Sequence, residues 1–250
     1  MSEPSDREPP VYAVFGATGG IGDNLCRRLA RRGARLVVVA RQSEPLQQLA
    51  ADLNGLARPL DATHFDAVDA CFDEIVQRFG RLDGAVNCIG SIVLKSAHMT
   101  SEAEWAATLA TNLTTSFALV RAAARSMLSS GGSIVLVSSV AARLGLANHE
   151  AIAAAKAGVI GLTLAAAATY ANRGIRVNCV APGLVRTPLT SRLTSNEASL
   201  KVSTAMHPLG RIGEPGDVAS AIDWLLHPEQ SWITGQVLGV DGGLGSVRPR

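Results

Sequence analysis

The chain has 250 residues, 47 % of them apolar and 18 % charged, with a formal net charge of +2. That apolar content excludes a disordered protein, and the length fits one large α/β domain better than two ordinary ones. The near-neutral balance gives no electrostatic reason to expect nucleic acid or an anionic membrane as a partner. The four cysteines Cys26, Cys71, Cys88 and Cys179 stand far apart, with no Cys-x-x-Cys and no metal-ligand spacing. Reduced thiols in a cytoplasmic protein are therefore expected, and a metal centre is not.

Residues 1–10 are polar and proline-rich, lack the apolar centre of a signal peptide, and are expected to form a flexible N-terminal tail. From residue 11 to the end, short apolar runs alternate with longer helical stretches in what reads as one domain. Strands are expected at 11–15, 35–40, 56–60, 82–87, 133–138, 176–180 and 236–240. Helices are expected at 20–32, 44–53, 64–78, from Ser101 to about residue 128, at 149–172, and from Pro215 onward. Ser101 followed by Glu104 reads as a capping box opening the fourth helix, and Gly174 as the stop of the fifth. Runs such as Leu36-Val37-Val38-Val39 and Ile134-Val135-Leu136-Val137 are continuously apolar, as parallel strands covered on both faces are. Residues 151–171 approach the length of a membrane span. They contain Lys156 and are mostly Ala and Gly, which suits a soluble helix packed closely on its neighbours. Residues 183–213 do not fit the alternation and are expected to form a mobile lid over a ligand crevice.

The first strand runs into Gly16-Ala17-Thr18-Gly19-Gly20-Ile21-Gly22 at the start of a helix. A glycine turn there lets the backbone approach a pyrophosphate, whose charge the helix N-terminus favours. The second strand ends in Ala40-Arg41, without the acid that would accept from free ribose hydroxyls. A guanidinium there suits a 2′-phosphate, or is a solvated strand end.

The glycine run, Asn87-Cys88-Ile89-Gly90, Asn112, Ser139, Lys156, Pro182-Gly183-Leu184-Val185-Arg186-Thr187-Pro188 and Asp241-Gly242-Gly243 occur in this order. Over residues 11 to 245 they resemble the short-chain dehydrogenase/reductase family. The resemblance implies a Rossmann-type, doubly wound parallel sheet of about seven strands with helices on both faces. It implies a nicotinamide cofactor, NADP(H) favoured over NAD(H), touched by Gly16, Thr18, Gly20, Ile21, Gly22, Arg41, Asp61, Asn87, Gly90, Lys156, Pro182, Gly183, Val185 and Thr187. Asp61 would meet the adenine, Lys156 the ribose and Thr187 the carboxamide. In catalysis Ser139 would polarise a substrate carbonyl, Asn112 would support a water relay, and Lys156 would lower the pKa of a tyrosine. The family's pairing of two long helices, here 102–128 and 149–172, implies a homodimer or homotetramer acting on a small molecule.

One part departs from the family. The tyrosine that exchanges the proton stands four residues before the lysine, and here that residue is Ile152. The remaining tyrosines, Tyr12 and Tyr170, cannot be moved into the motif. Helical spacing puts His149, Ile152 and Lys156 on one side of a helix. His149 is therefore either a substitute acid or a helix-start histidine facing water or a partner subunit. His98 and His207 read as surface residues in loops. Two functions stay open: an oxidoreductase with a non-standard proton route, or an NAD(P)-binding protein without redox turnover.

Overall fold

The computed structural model describes residues 8–248. Of the expected N-terminal tail, residues 8–10 run without regular structure and residues 1–7 lie outside the described part. Seven strands form one sheet: β1 Val11–Phe15, β2 Arg35–Ala40, β3 Leu56–Pro59, β4 Gly84–Asn87, β5 Gly132–Val137, β6 Ile175–Pro182 and β7 Val237–Val240. Their order is β3-β2-β1-β4-β5-β6-β7, and each neighbouring pair is parallel. The order reverses between β1 and β4, which opens a crevice at the carboxyl ends of those strands.

The helices are α1 Gly20–Arg31, α2 Ser43–Asp52, α3 Phe65–Phe79, α4 Glu102–Leu109, α5 Thr115–Met127, α6 Glu150–Tyr170, α7 Ser191–Thr194, α8 Glu197–Met206 and α9 Pro215–Leu226. Side chains of β1 alternate between the two faces, as a strand period of two requires. Val11, Ala13 and Phe15 join Val68, Phe72, Leu119, Met127 and Val159 on the face covered by α3, α5 and α6. Tyr12 and Val14 join Leu25, Leu29, Leu46, Val218 and Ile222 under α1, α2 and α9. Continuous apolarity in the strands thus reflects two helix layers, each filled from alternate residues. The long α6 is apolar enough to cross a bilayer by length and composition. It packs on the sheet instead, burying Ala155, Lys156, Val159, Thr163, Ala166 and Ala167.

Two expectations change. The helix from Ser101 to residue 128 is not continuous. The Ser101–Glu104 capping box forms as read, but a single π turn at residues 110–114 divides α4 from α5. Side chains take over the carbonyls that such a turn frees. Asn112 Nδ2 donates to the Thr108 carbonyl at 3.0 Å, Thr115 Oγ1 to Thr111 at 2.7 Å and Ser116 Oγ to Asn112 at 3.1 Å. The break holds Asn112 in the interior, fully buried. Residues 183–213 also differ: they contain two helices, α7 and α8.

Candidate functional site

The turn after β1 is fixed by its own backbone. The Gly16 and Ala17 N–H groups donate to the Val39 carbonyl at 2.8 and 3.1 Å. Gly16 has φ +75, and a Cβ there would lie 2.8 Å from the backbone of Cys88 and Ile89. A Cβ on Gly22 would lie 2.2 Å from the Gly16 carbonyl oxygen. Only glycine fits at either place. The first helical bond of α1 runs from Asp23 N–H to the Gly19 carbonyl at 2.8 Å. The N–H groups of Gly20, Ile21 and Gly22 are thus the helix-end donors left for an outside acceptor, and the dipole there favours an anion. Thr18, half-buried, borders the same turn.

Across the crevice the matched residues form one connected set. Asn87, buried at the end of β4, donates to Thr115 Oγ1 and Ser116 Oγ at 3.1 and 2.9 Å, and its Oδ1 accepts from Ile89 N–H at 3.1 Å. This pins the loop that carries Gly90 to the start of α5. A Cβ on Gly90 would sit 3.3 Å from Asn112 Oδ1 and 3.7 Å from Lys156 Nζ. The Asn112 amide is held at both ends: Oδ1 accepts from Ser91 N–H at 3.1 Å, with a second lone pair left over, and Nδ2 donates to Ser91 Oγ at 2.9 Å besides Thr108. Its geometry is that of a clamp between the π turn and the loop after β4. Ser91 was not legible as a partner, because the pairing spans 21 positions and no motif announces it.

Lys156 is buried on α6 and donates from Nζ to the Val137 carbonyl at 2.8 Å. Among the described residues no carboxylate pairs with it. Burial pushes its pKa down to about 8. Two nearby thiols do not supply an anion, since burial pushes Cys88 up to about 12 and Cys179 up to about 11. Two of the three ammonium donors are free for hydroxyls of a ligand. Ser138 Oγ donates to the Lys156 carbonyl at 2.7 Å and locks α6 to the end of β5. The next residue, Ser139, is half-buried. Its oxygen accepts from Ala141 N–H at 3.2 Å, which leaves its own O–H without an acceptor among the described residues.

Ile152 lies one turn before Lys156 on α6 and is 5 % exposed. It belongs to neither of the two hydrophobic layers that flank the sheet. His149 stands at the very start of this helix. It is the residue before α6, with φ −112 and ψ 12. Its Nδ1 bonds the Ala147 carbonyl at 2.7 Å, which leaves Nε2 as the acceptor in the neutral ring. His207 is a correction, because it is buried at 4 % exposure. Its loop position hid a ring whose two nitrogens are both bonded within the chain.

At the adenosine end, Arg41 is exposed and has no ion pair among the described residues. Asp61 accepts from Thr63 N–H and Oγ1 at 2.9 and 2.8 Å. Those bonds, with smaller help from His64 and Arg41, hold its carboxyl below the usual range. At the other end, Pro182 pairs with Val240 in the sheet, Gly183 follows it, and Val185 is buried. Thr187 faces the glycine turn: a Cβ on Gly20 would lie 3.0 Å from Thr187 Cγ2. The Gly90 loop thus lies beside Asn112 and Lys156, and Thr187 lies beside the glycine turn.

Comparison with known proteins agrees in extent. The family model described as "Enoyl-(Acyl carrier protein) reductase" matches residues 16–245. A 3-oxoacyl-[acyl-carrier-protein] reductase of Vibrio cholerae is 38 % identical over 240 residues, covering 95 % of this chain and 98 % of its own. Carbonyl reductase family member 4 of Danio rerio is 40 % identical over 241 residues, covering 94 % and 97 %. A short-chain type dehydrogenase/reductase from Mycobacterium ulcerans matches with TM-score 0.91 and 32 % identity over 96 % of this chain and 90 % of that one. ElxO with NADP bound matches with TM-score 0.91 and 29 % identity, over 96 % and 100 %.

Proposed function

The chain belongs to the short-chain dehydrogenase/reductase family, and from that premise we propose an NADP(H)-linked oxidoreductase acting on a carbonyl or alcohol of a small molecule by a proton route without tyrosine. The cofactor fits the residues present: free N–H groups open α1, Gly90 leaves room beside Lys156, and Arg41, with no ion pair among the described residues, stands where a 2′-phosphate would lie. When bound, it supplies or accepts the hydride. The protein's part is position, charge and a proton. Lys156 holds the ribose through its free donors, and Ser139 turns its O–H toward the substrate oxygen. Asn112 holds the loop and helix break that frame them. Residues 183–213 act as the lid of a single catalytic domain that begins at Val11.

The observation that carries this reading is the buried Lys156, without a carboxylate partner among the described residues, beside Gly90 and the strand end bearing Ser139. A lysine held that way destabilises the apoprotein unless a ligand uses it. The second reading, cofactor binding without turnover, is favoured by buried Ile152 at the position where an acid is needed. Purified protein mixed with NADPH and a panel of aldehydes, ketones and imines separates the two. Saturable binding with substrate-dependent loss of nicotinamide absorbance supports the first, and saturable binding with no oxidation on any member supports the second. With an active substrate in hand, His149→Ala assigns the acid: lost turnover at unchanged cofactor affinity names His149, and unchanged turnover removes it.

The NADP preference has its own test. Arg41→Ala is expected to weaken NADPH binding roughly 10–100-fold, the loss of a charged hydrogen bond to phosphate, and to leave NADH binding unchanged. Equal effects on both coenzymes, or none, make Arg41 a solvated strand end. We further place the protein in the cytoplasm, consistent with its four free cysteines. We pair two copies through α4–α5 and α6, where Phe117 and Leu164 stand 47 % and 50 % exposed. Sedimentation velocity at micromolar concentration tests the pairing, which a monomer throughout would exclude.

A further inference from the structure

His207 lies outside every role assigned so far, yet it is one of the most constrained polar side chains in the chain. It closes α8 and is buried where three segments meet. Its Nδ1 bonds the Ser203 carbonyl, one turn back on α8, at 2.6 Å. Its Nε2 accepts the N–H of Leu184 at 3.2 Å. Ser203 offers only an acceptor and Leu184 only a donor, so the neutral ring with its proton on Nδ1 is the single form that satisfies both. The ring edge lies flat against Gly183, where a Cβ would come within 2.5 Å of Nε2. It also touches the turn after β7, since a Cβ on Gly242 would be 3.6 Å from the His207 side chain. The backbone adds Leu209 N–H to the Gly242 carbonyl at 3.1 Å. The ring forms the shared wall of two cavities of about 390 and 580 Å³.

That loop carries Val185 and Thr187, which packs over Gly20. We propose that His207 is a positioning residue: a neutral imidazole latch that fastens α8 to the Gly183–Leu184 backbone and thereby sets Val185 and Thr187 against the nicotinamide end of the crevice. The proposal rests on the cofactor reading above for its last clause only. Its chemistry includes a pH dependence. Protonation puts a second N–H on Nε2, directly opposite the Leu184 N–H, so the acceptor disappears and two donors face one another. The charged groups around the ring do not replace that bond. On α8, Glu197 and Lys201 line the outer cavity. On the other side Arg211 is paired with Asp217, and Arg186 with Glu214. The Asp241 carboxylate is taken by the N–H groups of Gly243 and Gly245 at 3.0 Å each. No carboxylate is hydrogen-bonded to the ring among the described residues. Lowering the pH therefore loosens α8 from the loop.

The test compares the wild type with His207→Gln and His207→Leu. Gln keeps an acceptor for Leu184 N–H and cannot be protonated, whereas Leu fills the space without an acceptor. In the cofactor-free protein, nitrogen NMR of the imidazole at pH 8 is expected to report Nδ1–H with Nε2 unprotonated. Amide exchange over residues 184–206, corrected for intrinsic rates, is expected to accelerate roughly 10-fold between pH 8 and pH 5 in the wild type beyond any change in His207→Gln. His207→Leu is expected to exchange fast at both. NADPH affinity follows the same pattern: the wild type loses roughly 10-fold more than His207→Gln on acidification. Identical pH responses in the wild type and His207→Gln, or the opposite tautomer at pH 8, would overturn the latch. A latch seen by exchange and NMR in a protein that does not bind NADPH would instead overturn the cofactor reading and leave the latch standing.

Discussion

Ile152→Tyr is expected to create or raise carbonyl reduction by about 10²–10⁴-fold, the usual contribution of a positioned general acid. The surroundings of position 152 are already those a phenol needs. The residue is buried one helical turn before Lys156, and among the described residues the ammonium there has two free donors and no competing carboxylate. A cation so placed favours phenolate and lowers the tyrosine pKa toward the working range. Ser139 has its O–H free to bind the same oxygen. Ile152 belongs to neither of the two sheet-flanking layers, so the larger ring has to be accommodated at the crevice side of α6 and not within those layers. The measurement is kcat/KM with NADPH on a carbonyl panel for both proteins. A large gain carried by kcat shows that only the proton donor was absent. No gain, with folding and NADPH affinity intact, shows that Ser139 and Lys156 are not arranged for this chemistry, and favours cofactor binding without turnover. A fall from measurable wild-type activity would mean that the native proton route passes through the space the phenol fills.

The parts of the chain that were legible beforehand are those governed by local chemistry. β1 and β2 fall on the expected residues because uninterrupted apolar runs mark strands buried on both faces. The start of α4 was readable from Ser101 and Glu104, and the stop of the chain segment after α6 from Gly174, which closes the short turn at 171–173 that follows it, because caps are short-range bonds. α8 was not readable, since none of its residues is buried and no apolar stripe marks it. The π turn and His207 escaped for a different reason. Asn112 is fixed by Ser91 and His207 by Leu184, partners that only the folded chain brings close. The missing tyrosine, by contrast, could be read from one position, because a motif states what should be there.

Lys156→Met is expected to stabilise the cofactor-free protein at pH 7 while removing most of its affinity for NADPH. Burial holds the native pKa at about 8, below the 10.5 usual for a lysine. At pH 7 both the folded and the unfolded chain carry the proton, so folding bears the full desolvation of a buried ammonium. A difference of about 2.5 pK units corresponds to about 3 kcal/mol. Between pH 8 and pH 10.5 the unfolded chain keeps a proton that the folded chain has lost, so this group's contribution to stability rises with pH across that window. Methionine has similar length and no charge, but it gives up the bond to the Val137 carbonyl, worth about 1–2 kcal/mol. The variant should therefore be more stable by about 1–2 kcal/mol at pH 7, with the advantage gone near pH 10. The buried thiols act oppositely: Cys71 and Cys179 at about 11 and Cys88 at about 12 keep their protons in the fold after the unfolded chain releases them. Both proteins share that loss for Cys71, whereas Cys88 and Cys179 feel the ammonium, so the difference between their denaturant midpoints, converted at a common slope, isolates the lysine below pH 9. A variant less stable than the wild type at pH 7 would mean that the ammonium is already paid for within the apoprotein. Loss of NADPH binding would then follow from damage to the fold, and the assignment of Lys156 as a ribose ligand would lose its support.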